Sequence, residues 1–135
     1  MFQKFKNCTD VGLLVLRIGV GASFVINHGW KKMSGGPEFW EKLGGTMQNF
    51  GITFLPAFWG FMASFAEFFC AIFLILGFFT KRSSILLAIT MFVAAVHHLS
   101  KGESANYPIE LFFVFLALAI IGGGKYSIDE KFLKK

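Results

Sequence analysis

One stretch of the sequence has no polar face: Phe68-Phe69-Cys70-Ala71-Ile72-Phe73-Leu74-Ile75-Leu76-Gly77-Phe78-Phe79. The chain of 135 residues is 55% hydrophobic and 16% charged, and it contains 19 phenylalanines. An average soluble domain is roughly 25% charged, and a small soluble domain buries only about two-thirds of the surface that its unfolded chain exposes. Because a soluble chain could not hide this much apolar surface, the composition predicts an integral membrane protein.

Four apolar segments follow one another, over residues 11–28, 56–79, 83–99 and 108–122. A helix needs about 20 apolar residues to cross a bilayer, so the second segment is long enough, the first and third are marginal, and the fourth is short. Thr9-Asp10 predicts an N-cap for the first helix, and Gly122-Gly123-Gly124 predicts the end of the fourth. We predict an all-α integral membrane four-helix bundle that forms a single domain over residues 1–135.

The connection between the first two segments has a helical pattern of its own. Its apolar side chains recur at helical spacing behind Pro37: Phe39, Trp40, Leu43, Met47 and Phe50. This pattern favours a short amphipathic helix on the membrane surface, while Gly44-Gly45 leave an ordinary loop as the alternative.

The positive charges cluster at the ends of the apolar segments, as in membrane topology signals and unlike a nucleic-acid-binding stripe. With the N-terminus inside, the inner side holds Lys4, Lys6, Lys81, Arg82, Lys125, Lys131, Lys134 and Lys135, and the outer side holds Lys31, Lys32, Lys42 and Lys101. This excess predicts both termini in the cytoplasm. Cys8 and Cys70 lie in a cytoplasmic tail and an apolar segment, so we expect no disulfide, and no cleavable signal peptide is evident.

Six ionisable residues lie in or at the ends of the spans: Arg17, His28, Glu67, His97, His98 and Glu110. Such groups are costly in lipid and usually face the bundle interior. At about 1.5 Å per residue, Arg17 and Glu67 come within about 4 Å of the same depth, which favours an ion pair between them. His28, His97 and Glu110 lie nearer the outer face, so we expect one polar column from mid-membrane outward. Helical spacing favours His97 over His98 as the inward histidine.

Each of these residues also has a structural interpretation. An Arg17–Glu67 pair could only fix the helix register, His28 could be an interfacial anchor, and Glu110 could be an acid that favours a helix N-terminus. The histidines lack the spacing of a metal site. A quinone pocket needs an imidazole or carboxylate that exchanges protons, together with aromatic walls, and these residues could supply both. A proton-coupled carrier would use the same groups.

The sequence resembles the DoxX family along nearly its whole length. The resemblance is carried by Arg17, by His28-Gly29-Trp30-Lys31-Lys32-Met33, by Glu67, by Leu76-Gly77-Phe78-Phe79-Thr80-Lys81-Arg82, and by Gly122-Gly123-Gly124-Lys125-Tyr126-Ser127-Ile128-Asp129. The family pattern His-Gly-x-x-Lys is kept through Lys32, and Gly-x-Gly-x-x-Ser-x-Asp is kept through Asp129. The resemblance implies a four-helix protein of the bacterial inner membrane. It also implies association with membrane redox systems, such as thiosulfate–quinone oxidoreduction or thiol homeostasis with a sulfurtransferase and superoxide dismutase.

These observations lead to one functional hypothesis and its alternatives. We expect a membrane subunit of a redox or thiol/sulfur detoxification system, with a quinone-like or other small hydrophobic ligand between its helices and a soluble or membrane redox partner. Arg17 and Glu67 would order the pocket, and His28, His97 and Glu110 would relay protons. The alternatives are a non-catalytic scaffold and a small solute or proton carrier. Catalytic activity, the ligand's identity and homo-oligomer formation are left open by the sequence.

Overall fold

The computed structural model describes residues 2–133; Lys134 and Lys135, counted above on the inner side, lie outside this range. Between these limits the chain consists of helices and short connections with no strand, which confirms the predicted all-α class. The main helices are α1 (Phe2–Ser34), α2 (Gly36–Gly44), α3 (Pro56–Leu76), α4 (Thr80–Ser100) and α5 (Asn106–Ile121). A 3-10 helix (Gly45–Phe50) follows α2, and a π-helical turn (Asp129–Leu133) lies in the C-terminal tail.

Three of these helices, α1, α3 and α4, are long and apolar enough to cross a membrane, and α5 is a shorter apolar helix. The bundle therefore has a terminal end, which contains Phe2 and Asp129, and a distal end, which contains Ser34 and Ser100. The helix α4 packs against α5, and the second half of α3 packs against α1. Phe24 of α1 also meets Phe115 of α5, with ring centroids 5.2 Å apart.

The distribution of side chains is that of a protein in lipid. Large apolar residues are exposed on the outer surface, for example Val15 at 66% and Ile120 at 71%. The interior holds Arg17 and Glu67, exposed by no more than 1%, beside the apolar core. That core consists of Leu13, Phe24, Ala66, Cys70, Ala71, Leu74, Leu87, Ala88, Met91, Phe115 and Leu118. Polar groups are kept from lipid because an unsatisfied polar group costs several kcal/mol there.

The helix boundaries differ from several of the predicted segment ends, including the start of α1 and the end of α3. The first helix begins at Phe2 instead of after Asp10, so the predicted N-cap is wrong. No residue before Asp10 breaks the helix, and the Asp10 carboxylate instead accepts the N–H of Lys125 at 3.1 Å. The helix α3 ends at Leu76 because Gly77 adopts a left-handed conformation with φ 72°, which glycine tolerates without steric cost.

The connection after α1 is helical, and α2 packs along the first half of α3. The two backbones meet at Gly44 and Gly60. A Cβ atom at Gly60 would clash with the Trp40 carbonyl, and one at Gly44 would clash with the Pro56 carbonyl. Small residues permit this approach between helices. The predicted amphipathic helix is therefore present over part of residues 37–50, and it is fixed to the bundle.

The C-terminal tail folds back onto the turn between α3 and α4. Both carboxylate oxygens of Asp129 accept backbone hydrogen bonds, one from Phe79 N and one from Thr80 N, each at 2.7 Å. The backbone N–H of Asp129 donates to the Gly77 carbonyl at 3.0 Å. The Gly-x-Gly-x-x-Ser-x-Asp pattern thus supplies the N-terminal cap of α4 from a distant part of the chain.

Candidate functional site

Two π-helical turns face each other near the distal half of the bundle. One is Val25–Gly29 in α1, and the other is Ala66–Cys70 in α3. They approach so closely that a Cβ atom at Gly29 would lie 2.6 Å from the Glu67 carbonyl oxygen. Glycine at this position therefore follows from packing between the two turns. Single π-helical turns inside α-helices occur frequently at functional sites, and here each turn carries one of the predicted ionisable residues.

Glu67 forms an ion pair with Lys32 across the two helices. The Lys32 Nζ atom donates to Glu67 Oε1 at 2.7 Å, and the side chains are 24% and 1% exposed, respectively. The second carboxylate oxygen, Oε2, is buried and has no hydrogen-bond partner within residues 2–133. The pair thus satisfies one oxygen of a buried carboxylate and leaves the other available to a further donor.

An apolar cavity of about 480 Å³ lies beside this ion pair, between α2 with its 3-10 helix, α3 and α4. Its walls are mainly apolar and include Met47, Phe58, Trp59, Met62, Leu86, Ile89 and Val93. The polar residues at its edge include Lys32, Glu67, Thr90 and His97. The His97 Nδ1 atom is buried and has no partner in the described chain. This combination of apolar walls and a few polar groups is typical of small-ligand sites.

The other predicted histidines have different surroundings. His28 Nε2 and the Tyr107 hydroxyl are 2.9 Å apart, and the two rings stack with centroids separated by 5.2 Å. His98 is paired with Glu103 at 2.9 Å on the surface, although it also borders the apolar cavity. His28 therefore belongs to a second polar group that joins α1 to α5.

The predicted Arg17–Glu67 pair is wrong. Arg17 instead donates to three backbone carbonyls at the terminal end of the bundle, those of Leu74 (3.2 Å), Ile75 (3.2 Å) and Tyr126 (3.0 Å). The predicted single column of charges is therefore divided into separate groups. Asp10 does not lie level with the inner end of α3, so counting from Asp10 places Arg17 too deep, and the carbonyls at the end of α3 are closer partners than a carboxylate two turns away.

Glu110 lies on the exposed surface of α5 and outside the lining of the apolar cavity. The structure therefore brings Glu67, His97 and His98 to the cavity and leaves Arg17, His28 and Glu110 outside it. Among residues 2–133, no group of three or more His, Cys, Asp or Glu side chains could hold a metal ion.

Two residues of the site were missed by the sequence reasoning. Lys32 was counted among the outer-side lysines because the first span was ended at His28, but α1 continues to Ser34. The four-residue spacing from His28 to Lys32 could have indicated a shared helix face. Tyr107 carried no signal, since it precedes Pro108 in a segment that was not predicted to face His28.

The fold and the site define a multi-pass helical membrane protein with buried ionisable groups beside an apolar cavity. The family model for DoxX matches residues 12–99, and the chain belongs to the DoxX family. It is 32% identical to "Inner membrane protein YqjF" of Escherichia coli (strain K12), in an alignment that covers 96% of this chain and 98% of that protein. No solved structure matches the chain significantly.

Proposed function

We propose that the protein is a subunit of a redox or thiol/sulfur detoxification system of the bacterial inner membrane, and that it binds a quinone-like ligand in the apolar cavity. The observation that carries the proposal is the position of Glu67 and His97. Each has a buried polar atom without a partner in the described chain, and both residues border the same apolar cavity. The inner-membrane relative from Escherichia coli supports the location.

The size and walls of the cavity fit a small hydrophobic ring. Its volume of about 480 Å³ lies within the roughly 300–1,000 Å³ of typical ligand pockets. Several lining residues are also exposed on the outer surface, including Phe58 at 48% and Ile89 at 55%. Since lipid covers such a surface, a hydrophobic ligand can reach the cavity from the membrane without passing through water.

The polar residues suit a ligand whose ring oxygens take up and release protons. A quinone supplies two-electron redox chemistry coupled to such proton transfer. Glu67 keeps Oε1 on Lys32 while Oε2 can bind a ring hydroxyl, and His97 Nδ1 can exchange a proton with a ring oxygen. His28 and Tyr107 would extend the proton path near the distal end, and Glu110 lies one turn after Tyr107 on α5, toward the middle of the bundle.

Ligand binding can be tested through Trp59, which lines the cavity. We expect a short-chain ubiquinone or menaquinone analogue to quench tryptophan fluorescence saturably in the purified protein. Trp59→Phe should remove the saturable component. Ala94→Phe should fill the cavity and prevent binding, whereas Val15→Phe, on an exposed face of α1, should not.

Glu67→Gln should weaken binding of the reduced analogue, because the amide is a poorer acceptor for a hydroxyl than a carboxylate. Quenching that is linear with analogue concentration, or equally strong in the Ala94→Phe and Val15→Phe variants, would show partition into the micelle and exclude the proposed site.

We also propose that both termini face the cytoplasm, as the lysine and arginine distribution predicts. Cys8 is exposed and Cys70 is buried, so the native Cys8 is a ready reporter of orientation. A membrane-impermeant maleimide should label Cys8 only after the cells are permeabilised. Labelling in intact spheroplasts would reverse the orientation.

A further inference from the structure

A second cavity, of about 920 Å³, lies at the terminal end of the bundle and takes no part in the proposed function. Its walls come from the first turns of α1, the start of α4 and the tail after α5. We call it the basic cavity, because Lys6, Lys81, Arg82 and Lys125 line it. All four of these residues are exposed, so their side chains can move toward a bound anion.

The carboxylates of the basic cavity offset its cations only in part. Both oxygens of Asp129 accept backbone N–H groups at the start of α4, and one oxygen of Asp10 accepts the N–H of Lys125. Glu130 also lines the cavity, and its backbone N–H donates to Ser127 at 3.2 Å. The two aspartates are thus engaged in holding the backbone, while the cationic side chains project from three separate segments.

Two polar atoms of the lining residues remain unsatisfied. Asp10 Oδ2 and Thr80 Oγ1 are buried without a hydrogen-bond partner within residues 2–133, and the residues are 7% and 0% exposed. An unpaired buried polar group destabilises the folded protein. The carboxylate oxygen requires a donor, whereas the threonine hydroxyl can donate to an anion. A ligand that carries both a hydroxyl and an anionic group would satisfy both.

We infer that the basic cavity binds a phosphate ester that carries a hydroxyl group. The phosphate would contact Lys81, Arg82 and the Thr80 hydroxyl, and the ester's hydroxyl would donate to Asp10 Oδ2. The basic cavity lies at the end of the membrane-crossing helices, which is where the headgroup of a hydroxylated anionic phospholipid would lie. Lysine and arginine side chains near a membrane surface attract such lipids. A soluble glycerol phosphate carries the same two groups, a phosphate and a hydroxyl.

The test is lipid retention by the full-length protein, measured by native mass spectrometry during titration in a neutral detergent. The probes are phosphatidylglycerol, phosphatidylmethanol, which is anionic but has no headgroup hydroxyl, and phosphatidylcholine, which has no net charge. We expect phosphatidylglycerol to bind most tightly and phosphatidylcholine most weakly. Equal binding of phosphatidylglycerol and phosphatidylcholine would overturn the inference.

Charge variants locate the site. Lys81→Gln/Arg82→Gln should weaken phosphatidylglycerol binding by about tenfold or more, since each cation near a membrane surface contributes about 1 kcal/mol. The matched control is Lys31→Gln/Lys101→Gln, which removes two exposed cations from the distal end and should leave binding unchanged. A loss of equal size in both double variants would assign the effect to net charge and exclude the basic cavity.

Asp10→Asn tests the hydroxyl contact. It should reduce the preference for phosphatidylglycerol over phosphatidylmethanol while phosphatidylmethanol still binds. An unchanged preference in a folded variant would remove the hydroxyl from the inference. If this variant does not fold, the Lys81/Arg82 comparison still decides whether the cavity binds phosphate.

Glycerol 3-phosphate distinguishes the two sources of the ligand. Saturable binding to the lipid-free protein, lost in the Lys81→Gln/Arg82→Gln variant, would assign the site to a soluble ester. Binding of phosphatidylglycerol that glycerol 3-phosphate does not compete with would assign it to lipid.

Discussion

Breaking the Lys32–Glu67 ion pair should have very different effects depending on which partner is removed. Glu67 is only 1% exposed, whereas Lys32 is 24% exposed and can extend its ammonium group toward water. Removing one partner of a buried pair costs roughly 3–5 kcal/mol, because a buried charge is left without compensation. We therefore expect Lys32→Gln, which leaves Glu67 unpaired, to lower the free energy of unfolding by about 3 kcal/mol.

Glu67→Gln should be milder. The glutamine amide oxygen can still accept from Lys32, and the ammonium that loses its counter-charge is partly hydrated, so the expected loss is about 1 kcal/mol. The double variant removes both charges. It should be more stable than Lys32→Gln alone by about 1 kcal/mol, which corresponds to a coupling energy of about 2 kcal/mol between the two side chains.

The measurement is equilibrium unfolding in mixed micelles of increasing SDS content, followed by tryptophan fluorescence and far-ultraviolet circular dichroism. Lys31→Gln is the matched control, because Lys31 is an adjacent, exposed lysine. Its substitution should change the free energy of unfolding by less than about 0.5 kcal/mol. A Lys32→Gln variant no less stable than Lys31→Gln, or a Glu67→Gln variant less stable than Lys32→Gln, would refute the proposed role of the ion pair.

Three further predictions concern packing and the terminal end. Gly60→Ala should lower the free energy of unfolding by about 2 kcal/mol or more, because the new Cβ would clash with the Trp40 carbonyl. The control is Gly12→Ala, where a Cβ meets nothing within 4 Å. This control should be neutral or raise the free energy of unfolding by up to about 1 kcal/mol. Asp129→Asn should lower the free energy of unfolding by about 1 kcal/mol, since the amide offers one acceptor to two backbone N–H groups. Equal unfolding midpoints for wild type and variant would show that Asp129 does not stabilise the start of α4. Arg17→Met should lower the free energy of unfolding by about 3 kcal/mol or more, because it removes the donors to three carbonyls. Saturable quenching by the quinone analogue should remain in this variant. Loss of the quenching in a folded variant would show that Arg17 takes part in ligand binding.

The fold was predictable because its signal is compositional. A run such as residues 68–79, without a polar face, has few stable environments other than lipid. Helix boundaries were less predictable, since hydropathy reports the part of a helix in hydrocarbon and not the whole helix. The first turns of α1 carry lysines outside the apolar segment and are still helical. The helix α1 also continues through Gly29, where the missing side chain lets it pack closely against the opposing π-helical turn.

The partners of the buried charges could not be derived from depth alone. Arg17 and Glu67 were placed at similar depths by counting residues, but each is satisfied by a nearer group. Arg17 donates to backbone carbonyls at the end of α3, where the last turn of a helix lacks its full set of intrahelical N–H donors. Glu67 finds a lysine whose long side chain reaches into the bundle from the distal end. Both partners depend on where helices end, which is the feature that hydropathy locates least well. A buried charge in a small membrane bundle should therefore first be matched with the helix ends and interfacial lysines within one side-chain length, and only then with another buried charge.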